Sequence, residues 1–511
     1  MNPVRRKPLM LLVAAVLVPV TVLATTASAS AASGSLTVTT YNRQGAKVAI
    51  PLVITNTTTN QQWNVTSGKA KSLPKGTYTV LAAISSKDGS DTLGARVLKL
   101  TGKTSTTIDA RWGKPLRYNL DKNPGGAVDV HASLCTPGSG QGVDAYNSSG
   151  KVFVIPNSST HVRSAFATVW GGGTNEQWVV AYEQKTIPAT LTRTVKRSSL
   201  ATLTSTVKKG VSGAPDVMMA IQGEGTSGDC RQSLFVGLNR VTAPFTMRTH
   251  MSGGRWLVRT SAETDSNETT AEQWVTKSFT GGKSYAQTFY RAAWGPGNTR
   301  PETSGNRIMF NTDSMFTDPG FQWADLTGWQ VSEKSTVWLS KGGKQIKSQS
   351  RSSWGDGNPA FEASTKKKGW YLLKVSAQRY HPGVSWPSDL LANKTSMWMS
   401  FYANPAKERT VPVAVPRLSP NGLDMSNRAK PGSTTTVDIK VQGTAARTVT
   451  AKASFDNGKT WKTVSVRKSG TIWKATVKNP VKGGMIGLRT QAKTQDGYTT
   501  EVTVYRAYRV G

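Results

Sequence analysis

From residue 33 onward, apolar and polar side chains alternate in short runs separated by Gly, Asn, Asp and Pro. The first five are LTVTTYN (36–42), VAIPLVITN (48–56), TYTVLAAIS (77–85), ARVLKLTG (95–102) and TSTTIDARW (104–112). Period-two alternation in segments rich in Val, Ile, Thr and Tyr, bounded by turn residues, marks β-strands. Five such runs within residues 33–120 predict a small sandwich, transthyretin-like or immunoglobulin-like. Lys122-Asn123-Pro124-Gly125-Gly126 then breaks the pattern and marks a boundary. Residues 127–410 continue the alternation in EQWVVAYEQ (176–184), RWLVRTSAE (255–263), WYLLKVSAQRY (370–380) and TSMWMSFYA (395–403). A division near residue 296 falls at Trp294-Gly295-Pro296-Gly297. SSLATLTSTVKK (198–209) also alternates, which favours strand over helix. The Pro-rich stretch 412–431 leads into a last unit, 421–511, whose runs predict an immunoglobulin or fibronectin-III-like sandwich. The whole reads as all-β, built of several β-sandwich modules.

SFDNGKTW (454–461) is the clearest local motif. Asp456-Asn457-Gly458 tolerates positive φ between two alternating runs, which predicts a hairpin with Asp456 bonding backbone N–H groups and Trp461 folding over the turn. The spelling resembles the Asp box of sialidase-type propellers, a turn-stabilising device, so Asp456, Gly458 and Trp461 are assigned to scaffold.

Residues 1–31 break the strand pattern. Arg5, Arg6 and Lys7 precede an apolar run, 9–23, and small residues at Ala27-Ser28-Ala29 or Ala29-Ser30-Ala31. That order predicts a cleaved signal peptide. The run is shorter than the ~20 residues that span a bilayer, and no later run would cross one. An exported chain with two cysteines predicts a single Cys135–Cys230 disulfide. The chain-entropy model values it at roughly 4–5 kcal/mol at most.

Charge adds an expectation about partners. The chain carries +35, with +9 over residues 33–120 and +11 over 421–511, so basicity is spread over the surface. A nucleic-acid reader concentrates its charge on one face, so no specific nucleic-acid partner is expected. Diffuse positive charge fits attraction to an anionic cell-wall polymer or polysaccharide.

Catalytic signatures are missing from the sequence. His131, His161, His250 and His381 stand alone, without metal-ligand spacing, and there is no Gly-x-Ser-x-Gly elbow. Gly225-Thr226-Ser227-Gly228 lacks the residues that follow a subtilisin nucleophile. Asp88-Gly89-Ser90-Asp91 lacks an EF-hand's closing Glu and reads as a solvated turn. Asp313 and Asp318 are one chance carboxylate pair for a cryptic glycoside hydrolase, which needs only two acids. No catalytic residue, metal ligand or cofactor is assigned. Among the 16 tryptophans, those in alternating runs (Trp178, Trp274, Trp338, Trp370, Trp398, Trp473) are expected in the core. Trp354 and Trp386 lie in loop-like context and are the expected exposed contact residues.

Several stretches together resemble the region that follows the catalytic domain in large secreted bacterial subtilisin-like serine peptidases. They are GTYTVLAAI (76–84), TIDARWGKP (107–115), TIPATLTRTVKRSSLA (186–201), YRAAWGPG (290–297), GWYLLKVSAQRY (369–380), LDMSNRA (423–429), SFDNGKTW (454–461) and LRTQAKTQDGYTTEVTVYRAY (488–508). No residue matches that family's Asp, His or Ser, and no peptidase domain precedes residue 33. The resemblance therefore implies accessory β-sandwich modules without the proteolytic activity. The expected function is a secreted, extracellular or wall-associated binding protein. An accessory factor docking on a separate secreted peptidase is the alternative.

Overall fold

The structure, a computed structural model, describes residues 33–171, 175–223, 230, 234–264, 266, 268–297, 299–321, 333–351 and 361–511. The expected leader (1–31), Trp354 and the 225–228 turn lie outside them. Among the described residues, every regular element except the 3-10 turns Ala110–Trp112 and Arg197–Ser199 is a strand, so the chain is all-β, as its alternation predicts. No helix among them is long and apolar enough to cross a membrane.

Two sheets form the first sandwich. Ser33–Tyr41 pairs antiparallel with Lys47–Val48 and Ala70–Pro74 and parallel with Lys103–Asp109. The facing sheet runs through Gln62–Thr66, Pro51–Asn56, Gly76–Ser85 and Asp91–Leu100. Leu36, Val38, Leu52, Ile54, Tyr78 and Val80 fill the space between. The glycine-rich break at 121–126 does not separate this sandwich from the middle region. Val152–Val154 joins the facing sheet beside Asp91–Leu100, and Arg117–Leu120 pairs in parallel with Thr192–Val195.

A larger sheet, running from Gly142–Asn147 to Ser284–Phe289, covers the outer face of that facing sheet. Leu81, Leu93, Phe166, Trp170 and Trp178 pack between them. Gly76–Ser85 and Arg163–Gly171 are therefore buried in long unbroken stretches rather than on alternate residues. The larger sheet's other face meets the sheet of Asp216–Gly223, Gly254–Glu263 and Thr269–Phe279 through Met219, Ile221, Trp256 and Val258. The predicted Cys135–Cys230 bond is formed, with a Cα–Cα distance of 5.4 Å. Trp294 is fully buried in the same core and Gly295 bridges to Thr317, so near residue 296 the chain stays inside the core.

The last large sheet positions the site. Lys344–Arg351, Glu333–Lys341, Gly369–Arg379 and Lys394–Ala403 pair antiparallel in that order. Lys394–Ala403 then pairs with the final strand, Thr499–Val510, from Lys394↔Tyr505 to Ser400↔Thr499. The unit expected at 421–511 thus continues a sheet begun in the middle region. Beyond lie Gly484–Thr494 and Ala446–Ser454. Lys462–Ser469 pairs first with Ala446–Ser454 and then with Ile472–Lys478, turning the corner into the second layer of the C-terminal sandwich.

Candidate functional site: an outward aromatic and cationic sheet face

Alternation decides which side chains face solvent on the large sheet. In Gly369–Arg379 the inward phase is Tyr371, Leu373, Val375, Ala377 and Arg379, all buried. The outward phase is Trp370, Leu372, Lys374, Ser376 and Gln378. Lys394–Ala403 repeats this with Thr395, Met397, Met399, Phe401 and Ala403 inward, leaving Lys394, Ser396, Trp398, Ser400 and Tyr402 outward. Glu333–Lys341 turns Lys334, Thr336, Trp338 and Ser340 the same way. Trp338, Trp370 and Trp398, expected in the core, therefore sit on the outer face. The apolar contacts that would draw them inward are already supplied by the Leu, Met, Phe and Val of the opposite phase.

Trp370 is 48% exposed and Tyr402 39%. The two are cross-strand partners with ring centroids 6.2 Å apart, edge to face, and Tyr498 braces Trp370 at 5.5 Å. One register step away from the strand ends, Leu372 faces Ser400; at the next, Trp338, Lys374 and Trp398 stand side by side on three adjacent strands. The row continues to Glu501, whose Oε1 accepts the Trp398 indole N–H at 3.0 Å and lies 3.6 Å from Arg489 Nε. Farther along, Arg489 lies over Trp461 at 4.2 Å and Lys394 over Tyr505 at 5.4 Å. Lys334, Lys374, Lys394, Lys452, Arg489 and Lys493 occupy the outward positions of these strands, with Glu501 the one acid among the described residues there. Such a face offers flat apolar rings with cations between them.

The Asp456 turn supports one end of this face. Ser454 Oγ donates to Asp456 Oδ1 at 2.8 Å and accepts from the Gly458 N–H at 2.7 Å. The Thr460 N–H and hydroxyl both donate to Asp456, so the acid reaches four residues on. Hydrogen bonds from Thr460 hold its carboxyl down at about 2. Trp461 donates to Gly458 O at 3.1 Å, which folds the indole over the turn as predicted.

Trp386 is not an exposed platform. Its ring packs at 4.7 Å against the Arg379 guanidinium, and a Cβ at Gly213 would lie 2.3 Å from it. Arg379 is fully buried, donates to Val211 O and Ser212 O, and also faces Trp294. Burial pushes it down to about 9. Trp386 is therefore a cover on a buried cation, a role its Ser-Trp-Pro context did not reveal.

The histidines are less solitary than their spacing implied. His131 packs against Tyr146 with ring centroids 4.5 Å apart and planes tilted by 60°, and burial pushes it down to about 4. His250 Nε2 lies 2.8 Å from Glu176 Oε1, its Nδ1 is 3.0 Å from Thr202 Oγ1, and it stacks on Trp178 at 5.2 Å. These residues line an open cleft of about 650 Å³ with Arg197 and Asn123. The order hydroxyl, imidazole, carboxylate is that of a proton relay. Thr202, however, lies in Ala201–Val207, which is paired on both sides, and its N–H donates to Lys283 O. The ladder on both sides consumes the donors of this strand.

The acids weighed for glycoside hydrolysis each have partners within the fold. Asp318 is buried and accepts from the Gly320 and Arg291 N–H groups, while Asp313 pairs with Arg351. Asp88 caps Ser90, and Asp91 accepts from Ser85 and Asn147, as a turn does.

No protein-family model matches the chain, and no curated protein matches it in sequence. Among solved structures, trypsin-activated alpha-2-macroglobulin from Escherichia coli aligns with 91% of this chain and 39% of its own, at 8% identity and a TM-score of 0.14. The chain thus spans about two fifths of that protein's length. A marsupial T cell receptor aligns with 59% of this chain and 98% of its own, at 10% identity and a TM-score of 0.11. A putative membrane-anchored protein from Corynebacterium diphtheriae aligns with 75% and 96%, at 9% identity and a TM-score of 0.11. Scores this low assign no family and transfer no site.

Proposed function

We propose that the protein is a secreted, non-catalytic binding module whose outward sheet face holds an anionic cell-wall polymer or acidic polysaccharide. The observation that carries this reading is the exposed Trp370–Tyr402 pair on a face that carries Lys334, Lys374, Lys394, Lys452, Arg489 and Lys493 beside Glu501. Indole and phenol rings give apolar area at low entropic cost, and the cations steer and hold a polyanion. The Cys135–Cys230 bond fits an oxidising compartment, and the cationic-then-apolar N-terminal segment supports export.

Co-sedimentation of the mature protein with purified anionic cell wall across a salt series tests it. Retention at low salt should fall as salt screens the cations. Trp370→Ala with Tyr402→Ala should weaken retention about tenfold at each salt concentration, a loss of ~1.4 kcal/mol. Absence of retention at the lowest salt, or retention untouched by the double substitution, refutes the reading.

A further inference from the structure

Resting on that reading, we propose that Trp338, Lys374 and Trp398 form a three-unit subsite for an acidic glycan in which neutral and carboxylate-bearing sugars alternate. The glycan crosses the strands rather than following them.

Register carries the argument. Trp338 pairs with Lys374, and Lys374 with Trp398, so the three side chains rise from consecutive strands at one level. Adjacent strands lie about 4.8 Å apart, which puts the two indoles roughly 10 Å apart with the ammonium between them. One strand spacing is close to the advance of one pyranose in an extended glycan. Successive sugars then meet a ring to stack on, a cation, and a second ring. Along a strand the order is different: Trp370, Leu372, Lys374, Ser376 and Gln378 offer no second ring beyond the lysine. Along Lys394–Ala403 the rings of Tyr402 and Trp398 are separated by Ser400, so the path across the sheet is the one that sets a cation between two rings.

The far end fixes the length. The next position in the row is Glu501, whose carboxylate holds the Trp398 indole and lies near Arg489. An alternating chain would set its second carboxylate against this one, so favourable contacts end after three units. In the other direction the row meets Ser348, a small neutral side chain. A polyol-phosphate chain has no sugar face to place on both indoles, and a homopolymer of uronate puts charge over the rings as well as over the lysine.

Calorimetric titration with defined probes tests this. They are a trisaccharide with uronate between two N-acetylhexosamines, its carboxyl-reduced form, a uronate trimer and a short glycerol-phosphate chain. The alternating acid should bind about fivefold tighter than its reduced form, the scale of one exposed ion pair. Lys374→Gln, on an exposed position, should abolish that difference by bringing the acid's affinity down to that of the reduced form. Trp338→Ala and Trp398→Phe should weaken both. Glu501→Gln keeps an acceptor for Trp398 and should strengthen a five-unit alternating chain more than the trisaccharide. Equal binding of acid and reduced forms, selectivity surviving Lys374→Gln, or tighter binding of the uronate trimer or glycerol phosphate overturns the inference. If wall retention still depends on Trp370 and Tyr402, only the subsite falls. If no wall is retained, the function proposed above falls with it.

Discussion

Glu333 opens its strand with its carboxyl inside the core, beside the hydroxyls of Thr312 and Ser335. Burial pushes it up to about 8, from an ordinary value near 4.5. The folded protein therefore keeps a proton that the unfolded chain releases, so stability is complete below about 4.5 and is lost as pH rises towards 8. Glu333→Gln should match the wild type at pH 4 and exceed it at pH 8 by on the order of a few kcal/mol, read from urea midpoints at the two pH values. Parallel curves at both pH values would refute the buried, protonated carboxyl. Phase at single residues was also legible, but it was outweighed by residue type. Trp370 shares its phase with Lys374, Ser376 and Gln378, and Trp398 shares its phase with Lys394, Ser396 and Ser400. Those neighbours announce an outer face, whereas hydrophobicity alone sent both indoles to the core. Trp386 failed in the opposite direction, because the cation it covers comes from a neighbouring strand and the loop at Gly213 from more than 160 residues away.

Elements that close on themselves were the most readable. The Asp456 turn was visible because Ser454, Asp456, Gly458, Thr460 and Trp461 satisfy one another within eight residues. Gly458 is held at φ 86°, and a Cβ there would lie 2.6 Å from the Tyr505 ring. Gly458→Ala should lower the melting temperature by several degrees, since strained left-handed backbone and displacement of Tyr505 together cost about 1–3 kcal/mol. An alanine variant that melts with the wild type would show that the turn is not held by this contact. Pairing between distant elements was not readable. His250 meets Glu176 and Thr202 only because Phe245–Met251 is inserted between Glu176–Gln184 and Ala201–Val207. No spacing rule joins residues that sheet order brings together. The Trp338–Lys374–Trp398 row has the same origin: each strand was predicted, but its neighbour and register were not.

At the scale of the molecule, the informative feature is that sheets ignore the breaks in the chain. Val152–Val154 completes the first unit's sheet from beyond the glycine-rich stretch, and Thr499–Val510 extends the sheet of Lys394–Ala403 from beyond the proline-rich one. Composition marks where the backbone turns without revealing where hydrogen bonds resume. This pairing also unites the two ends of the proposed binding face, since Trp398 and Glu501 belong to its opposite sides. Seven cross-strand pairs join these strands, and Met397, Phe401, Val502 and Val504 share one buried core. Separate opening of the C-terminal sandwich would break that ladder and expose the core, so the two regions should open as one cooperative unit. Hydrogen exchange followed by mass spectrometry should then give amides of 395–401 and 499–505 the same protection, and both should lose it at the same denaturant concentration. Earlier exchange of 499–505, with 395–401 still protected, would show that the C-terminal sandwich opens alone and that the face is assembled from two independent halves.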